Sequence, residues 1–333
     1  MLIDLTVAVY YRPTADYCAS PDAFGFSLFL GYHTERSMPL LRTLNFITNH
    51  PLNRTRKVAA IADFMKWQIG SRLVPGQIVH NWVDGSRFIV RAGDNGLTGN
   101  IYCGLHEFPD MAYLLHSLSA ADLFADIGSN VGAYTLLACA VRGASGYCFE
   151  PVPGTYKRLM DNIRLNDLCG RVTAMNIGLA DKEGELAFTT GENCMNHVVA
   201  EGESPGEVIK VKVRTLDEVL GGQSPAMLKI DVEGFESLVL KGADKTLQNP
   251  TLHSVIMELN GSGTRYGFSE DAIVATMKEY GFETFEYEPF SKKLTSMNGG
   301  RHATENTLFI RDVNRARTRV KNAKPVTIRG VWF

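Results

Sequence analysis

A chain of 333 residues can bury a large core, as one big domain or as a main domain with an appendage. Apolar residues make up 45% and charged residues 21%, the balance of an ordinary globular protein, and a formal net charge of -2 gives no basic excess pointing to nucleic acid. No apolar run approaches the roughly 18 to 20 residues that span a bilayer. Phe24 to Leu30 is too short and is broken by Gly25 and Ser27. The N-terminus lacks the basic-then-apolar pattern of a secretory signal, so a cytoplasmic protein is expected.

Six cysteines stand at 18, 103, 139, 148, 169 and 194. None form a Cys-x-x-Cys pair and no histidine completes a zinc pattern, so reduced structural thiols are expected, with Cys139 and Cys148 in core segments.

Residues 1 to 60 carry loop signals at Arg12-Pro13, Ser20-Pro21 and His50-Pro51. They read as an appendage with some helix. Val58, Ile61, Ala62, Met65 and Ile69 give an amphipathic helix over Thr55 to Ile69. Ile78 to Val83 and Arg87 to Arg91 are strands around the turn Asp84-Gly85, and Phe108 to Leu118 is a helix. The expected division is an N-terminal extension over 1–118, a main domain over 119–312 and a basic tail over 313–333.

From residue 122 the rhythm becomes strand, turn, helix. Strand Leu123 to Ile127 leads through a glycine turn into helix Ala133 to Val141, then strand Gly146 to Phe149 into helix Thr155 to Leu165. Val172 to Ile177 is a third strand. Glu185 to Thr190 and Val208 to Val213 are antiparallel pieces around a polar loop, Gly191 to Gly206. Met227 to Ile230 leads to one helix from Phe235 to Leu247. His253 to Met257 precedes a helix over Asp271 to Tyr280, with Ser269 as N-cap and Gly281 closing it. Glu283 to Tyr287 and Thr307 to Ile310 form an antiparallel pair. This alternation predicts a doubly wound α/β fold whose parallel sheet is covered on both faces, with ligands bound beyond the carboxyl ends of the strands.

The strongest local signal is Asp126-Ile127-Gly128-Ser129-Asn130-Val131-Gly132. Gly128 permits a tight turn; Gly132 lets the backbone approach a ligand and the helix pack on the sheet. Glu150 ends the next strand, where a carboxylate can accept both hydroxyls of a ribose. A dinucleotide needs Gly-x-Gly-x-x-Gly to seat its pyrophosphate. Here Asn130 replaces the middle glycine, and Asp126 would repel a pyrophosphate. S-adenosylmethionine has no phosphate and carries an ammonium and a sulfonium, so acids beside the turn favour it over NAD.

These residues resemble the FkbM family of methyltransferases. The likeness rests on Asp126 to Thr135, on Phe149-Glu150-Pro151-Val152-Pro153 with Asn162, Ile163 and Asn166, and on Leu228-Lys229-Ile230-Asp231-Val232-Glu233-Gly234-Phe235-Glu236. Met257-Glu258-Leu259 and the stretch Thr98 to Phe108 complete it, over roughly residues 75 to 310. The resemblance implies a seven-stranded class I methyltransferase (Rossmann-like) sheet, S-adenosylmethionine as donor, and O-methylation of a saccharide or small secondary metabolite. It places Asp126, Gly128 and Asn130 at the methionine part, Glu150 on the ribose and the loop Asn176 to Asp181 near the adenine.

Methyl transfer is an in-line displacement that demands alignment, and an alcohol acceptor is helped by a general base. Asp231 is the leading candidate as base or as ligand to the methionine amine, with Glu233 as the other partner and Glu258 as a third acid on the rim. Capping the helix near Gly234 is the structural alternative for Asp231 and Glu233, and pairing with Lys229 is that for Glu258. His106 is a second candidate base, with surface packing as its alternative. Tyr102 and Glu107 are candidates for the cofactor pocket, with packing as the alternative, and Tyr134 is core or pocket wall. A divalent metal on the rim acids is weighed but not favoured. The tail bears Arg315, Arg317, Arg319, Lys321, Lys324 and Arg329, and reads as solvated or as packing Val331-Trp332-Phe333 onto the domain; an anionic acceptor is its sharper reading. Trp67 with Arg72, and Trp82, read as core or as an aromatic platform for a sugar. Competing readings are an NAD-dependent oxidoreductase and a catalytically silent binding protein. A small-molecule or saccharide partner is expected, with no nucleic acid and no membrane span; homo-oligomerisation stays open.

Overall fold

The computed structural model describes residues 37–333 apart from residues 75, 95–96, 191–195, 201, 204–205 and 303–304. The loop signals at 12–13 and 20–21, the segment Phe24 to Leu30, Cys18, Cys194 and part of the loop 191–206 lie outside the described residues. Four cysteines are free thiols, with Cys103, Cys139 and Cys148 buried and Cys169 exposed.

The centre is an eight-stranded sheet in the order β12-β11-β13-β10-β9-β3-β4-β5. Strands β3 (Leu123–Ile127), β4 (Ser145–Phe149), β5 (Val172–Met175), β9 (Met227–Ile230) and β10 (Ser254–Glu258) run parallel. β11 (Glu283–Glu288), β12 (Lys293–Ser296) and β13 (Asn306–Ile310) add an antiparallel edge. The expected count of seven omits β12, whose Lys293–Ser296 sequence is mostly exposed and lacks the apolar run of a buried strand. β6 (Gly178–Leu179), β7 (Gly184–Thr190) and β8 (Glu207–Arg214) form a separate small sheet, with the expected antiparallel β7–β8 pairing. β1 (Ile78–Asn81) and β2 (Arg87–Val90) form the N-terminal hairpin.

Helices cover both faces. α1 (Ser37–Asn49), α2 (Lys57–Leu73), α3 (Thr98–Cys103) and α4 (Phe108–Ser117) precede the sheet. α5 (Ala133–Leu136) runs on as a π turn over Leu137–Val141, where a straight α-helix is expected. α6 (Pro153–Leu165), α7 (Leu216–Leu220), α8 (Glu236–Lys241), α9 (Asp244–Gln248) and α10 (Glu270–Glu279) follow. The single helix expected over 235–247 breaks into α8 and α9 at Gly242. A Cβ there would lie 2.0 Å from the Ala180 carbonyl oxygen, so the chain needs a residue without a side chain where it crosses this loop. Ser269 stands at the N-cap of α10 but its side chain makes no cap bond. The adjoining Glu270 carboxylate accepts from the Gly261 N–H, which ties the preceding loop to α10, and pairs with Arg301.

The basic tail is ordered. α11 (Val313–Asn322) packs on α4, and β14 (Thr327–Ile328) pairs with β15 (Val331–Trp332). Phe333 is buried against Phe108 and His116, whereas Trp332 is exposed. Arg319 forks onto both oxygens of Asp122 at 2.7 and 3.0 Å, and Arg329 donates to the carbonyls of Ile101 and Tyr102. One apolar cluster therefore runs from Ile47 and Phe64 through Phe124 to Ile328 and Phe333. Burial pushes the Asp122 carboxyl up, but Arg319 and the Ser119 donors more than offset this and hold it below the usual range. A depressed carboxylate contributes stability that is present above its unfolded pKa and lost as pH falls through the folded value. Asp122→Ala is expected to cost about 2 kcal/mol and to flatten the acid limb of the stability curve, read by urea denaturation between neutral and acid pH.

Candidate active site

The crevice opens where the strand order reverses. From β3 the chain moves outward through β4 and β5, then returns to lay β9 on the other side of β3. Adjacent carboxyl ends pointing into loops that diverge leave a gap there. Its walls carry Asp126, Gly128, Asn130, Glu150, Lys229 and Asp231 from these strand ends, with His106 and Glu107 from the turn between α3 and α4 and Tyr134 from α5. Phe188 and Ile177 supply an apolar end near the small sheet.

Each side chain is held by its own backbone context. Gly128 has φ +77°, and a Cβ there would fall 1.8 Å from the Asp231 carbonyl oxygen. This glycine lets the β3 and β9 loops close on each other. Gly132, expected to face a ligand, faces α6 instead: a Cβ would meet Leu159 Cδ1 at 2.7 Å, and Gly132 does not line the crevice. Asn130 and Glu233 both adopt left-handed backbone, at φ +49° and +54°. Non-glycine residues rarely sit there, and such strain gathers at functional sites.

Glu150 bridges two loops. Its Oε2 accepts the Asn130 N–H at 3.0 Å and its Oε1 the Val152 N–H at 2.9 Å. Burial raises its pKa to about 7, the two N–H donors opposing. Each oxygen keeps a further lone pair, so the group can still accept a diol. Asp126 is turned to the interior. Its Oδ2 takes the Thr135 N–H at 2.9 Å and hydroxyl at 2.6 Å, fixing the first turn of α5, and burial raises its pKa to about 6. Asn176 stands behind Glu150, donating to the carbonyls of Glu150 and Pro151, and does not line the crevice. Tyr102 is packed elsewhere: its hydroxyl accepts from Gln68 beside Phe64, outside the crevice walls. Glu107 does reach the crevice, accepting the Tyr134 hydroxyl at 2.5 Å. Trp67 packs on the core and Trp82 donates to the Gly104 carbonyl, so neither lines the crevice.

The β9 end holds a charge cluster. Lys229 is 1% exposed, and its ammonium donates to Asp231 Oδ2 and Asn306 Oδ1 at 3.0 Å each, 5.2 Å from the Tyr134 ring centroid. Burial alone would weaken its hold on the proton. Asp231, Glu107 and Glu258 more than reverse this and raise its pKa. In return Lys229 outweighs burial at Asp231, whose pKa is lowered. Glu258 is driven well above the usual range by burial, Asp231 and Glu233. In this cluster Lys229 favours the ionised form of Asp231, while burial and the two neighbouring acids favour the neutral form of Glu258. Asp231, Glu233 and Glu258 can bring one oxygen each within 4.8 Å of one another. A cation there would compete with the ammonium already beside Asp231. At the start of α8 the N-cap is Phe235, which offers no side-chain cap bond, and Glu236 accepts from the N–H groups of Val232 and Gly234 in the turn before the helix.

Lys229 is the residue that sequence reasoning left as a mere partner. The signal was present: a lysine inside the apolar strand Met-Leu-Lys-Ile is buried only when paired. His106 lies at the rim, exposed and edge-on to Phe46.

A doubly wound parallel sheet with an acid-lined crevice at its switch point, its pyrophosphate-seating glycine replaced by asparagine, is that of class I methyltransferases. Residues 126–284 match the family model described as the Methyltransferase FkbM domain, and the chain carries that domain. It is 31% identical to a hexuronic acid methyltransferase, AglP, of Haloferax volcanii over 44% of this chain and 59% of that protein. It is 27% identical to the methyltransferase sdnD of Sordaria araneosa over 53% of this chain and 79% of that protein. Among solved structures, a precorrin-6Y C5,15-methyltransferase of Geobacter metallireducens aligns at 13% identity and TM-score 0.35, covering 62% of this chain and 86% of that one. The chain thus spans about three fifths of the first of these relatives. Among the described residues, no helix is long and apolar enough to cross a membrane.

Proposed function

We propose that this protein transfers a methyl group from S-adenosylmethionine to a hydroxyl of a saccharide or small metabolite. The observation that carries the reading is the pairing of Glu150 with the Lys229–Asp231–Glu258 cluster across one crevice. The crevice chemistry fits the cofactor: a carboxylate with free lone pairs for a diol, an apolar end for a purine, and anionic groups for an ammonium and a sulfonium. The cofactor supplies an activated methyl carbon. The chain's residues bind, orient and manage one proton.

In this reading Glu150 accepts the ribose hydroxyls, and Asn130, strained and tied to Glu150, shapes the turn beneath. Asp126 acts by fixing α5 rather than by direct contact. Asp231, kept ionised by Lys229, faces the acceptor, aligns its hydroxyl and takes the proton as the C–O bond forms. Glu258, whose neutral form burial and its acid neighbours favour, stabilises that aspartate. Glu233 borders the acceptor and His106 stands at the mouth. No step calls for a metal, since Lys229 already supplies the local positive charge. The relative named for hexuronic acid supports a sugar acceptor. An NAD-linked oxidoreductase is disfavoured because Asn130 and the surrounding carboxyls oppose a pyrophosphate.

S-adenosylhomocysteine, but not NAD, is expected to raise the melting temperature. Glu150→Ala is expected to weaken its binding about 10- to 100-fold, the loss of charge-assisted bonds to a diol. Binding that needs ionised Glu150 must release a proton where the free group is protonated. Affinity should therefore fall as pH drops below about 7, by up to about tenfold per unit, and Glu150→Gln should flatten this slope in calorimetry. Stabilisation by NAD alone would refute the methyl-donor reading.

A further inference from the structure

α2 buries one side and exposes an apolar one. Ala60, Phe64, Gln68 and Ser71 are buried against the domain. Val58, Ile61, Met65, Ile69 and Leu73 recur every three or four residues and so line a second side, roughly 125° round the helix from the buried one, over about 22 Å of helix. They are open to solvent: Val58 is 84% exposed, Leu73 75% and Ile69 53%, with Leu41 of α1 at 62%. An amphipathic surface helix normally turns polar side chains outward, and a contiguous exposed stripe of this kind marks an interaction site.

Charge chooses among partners. Residues 37–74 carry six basic side chains (Arg42, Arg54, Arg56, Lys57, Lys66, Arg72) and one acid, Asp63, in a chain whose net charge is -2. Asp63 is already paired with Arg56. Lys57, Lys66 and Arg72 flank the stripe and are exposed. A second copy laid on this stripe would bring like charges together, which disfavours self-association. An anionic interface meets both the apolar stripe and its basic flanks, which is how amphipathic helices lie in a bilayer surface. The stripe also reaches the site: Phe46 of α1, 39% exposed, stacks edge-on against His106 of the crevice wall at 5.2 Å.

From this we infer that α1 and α2 form a docking face for an anionic lipid bilayer, with the crevice mouth beside the membrane surface. The inference stands apart from the reaction proposed above, because its readout is binding.

The test is co-sedimentation of the full-length chain with phosphatidylcholine vesicles and with vesicles of phosphatidylcholine and phosphatidylglycerol in equal parts. Sedimentation with the mixed vesicles is expected, at least tenfold stronger than with phosphatidylcholine alone and weakened by salt. The double variant Val58→Asp, Ile69→Asp alters only exposed positions and should bind at least tenfold more weakly while melting as the parent does. Lys57→Glu with Lys66→Glu should weaken binding with the stripe intact. Equal sedimentation of parent and double variant would overturn the inference. So would absence of sedimentation, whether or not light scattering then shows self-association that the Asp substitutions abolish.

Discussion

Replacing Lys229 by methionine is expected to remove about 3 to 5 kcal/mol of stability and to move the acid limb of the activity profile to higher pH. The side chain is 1% exposed, so methionine fills its space while deleting the charge. Asp231, which donates nothing and relies on the ammonium 3.0 Å away, is left beside Glu258 with no counter-charge. Two carboxyls that share a site without a cation cannot both ionise, so the Asp231 pKa must rise. The proposed base is then ionised only at higher pH, which fixes the direction of the shift. Asn306 loses its second partner as well, keeping only its bond to Asp110. Urea denaturation and a pH–rate profile of the variant are the measurements. Adding Asp231→Asn to Lys229→Met should recover part of the stability, because it removes the uncompensated charge, but none of the activity. A Lys229→Met protein that unfolds within 1 kcal/mol of the parent, with an unmoved profile, would show that the ammonium does not govern Asp231.

The elements legible in the sequence are those where local pattern and burial agree. Leu123–Ile127 is a strand because its residues are buried on both faces, and the glycine turn after it could be placed to the residue. Glu150 and Asp231 stood out as acids directly following apolar strands, and the crevice brings both to one rim. What was not legible depends on partners distant in sequence. β12 exists because β11 pairs with it, though its own residues are polar. The break at Gly242 answers to the Ala180 carbonyl, 62 positions earlier in the chain. The tail is ordered by Asp122 and by carbonyls of α3; its own residues offered both a solvated run and packing of Val331-Trp332-Phe333, and the distant acceptors decide between them. Tyr102 and Glu107 were indistinguishable by spacing; Tyr102 lies within α3 and meets Gln68, whereas Glu107 follows the turn begun at Gly104 and meets Tyr134.

Gly128→Ala is expected to be as damaging as the loss of Lys229, costing about 4 kcal/mol or more and abolishing cofactor binding. Two independent costs add. At φ +77° an alanine enters a backbone region that L-residues disfavour by about 1 to 2 kcal/mol. Its Cβ would also stand 1.8 Å from the Asp231 carbonyl oxygen and 2.8 Å from the carbonyl carbon. Those are backbone atoms at the end of a strand paired on both sides, so no rotamer change relieves the contact. The β9 loop must move outward, breaking the bond from the Asp231 N–H to the Ile127 carbonyl and carrying the Asp231 carboxylate away from Lys229. Gly132→Ala provides the control. It shares the positive φ, at +94°, but meets only the terminal Cδ1 of Leu159, which can swing aside. Its cost should be about 1 to 3 kcal/mol, with S-adenosylhomocysteine binding retained in the folded fraction. Equal damage at the two positions would mean that backbone conformation alone, rather than closure of the β3 loop on the β9 loop, sets the requirement for glycine.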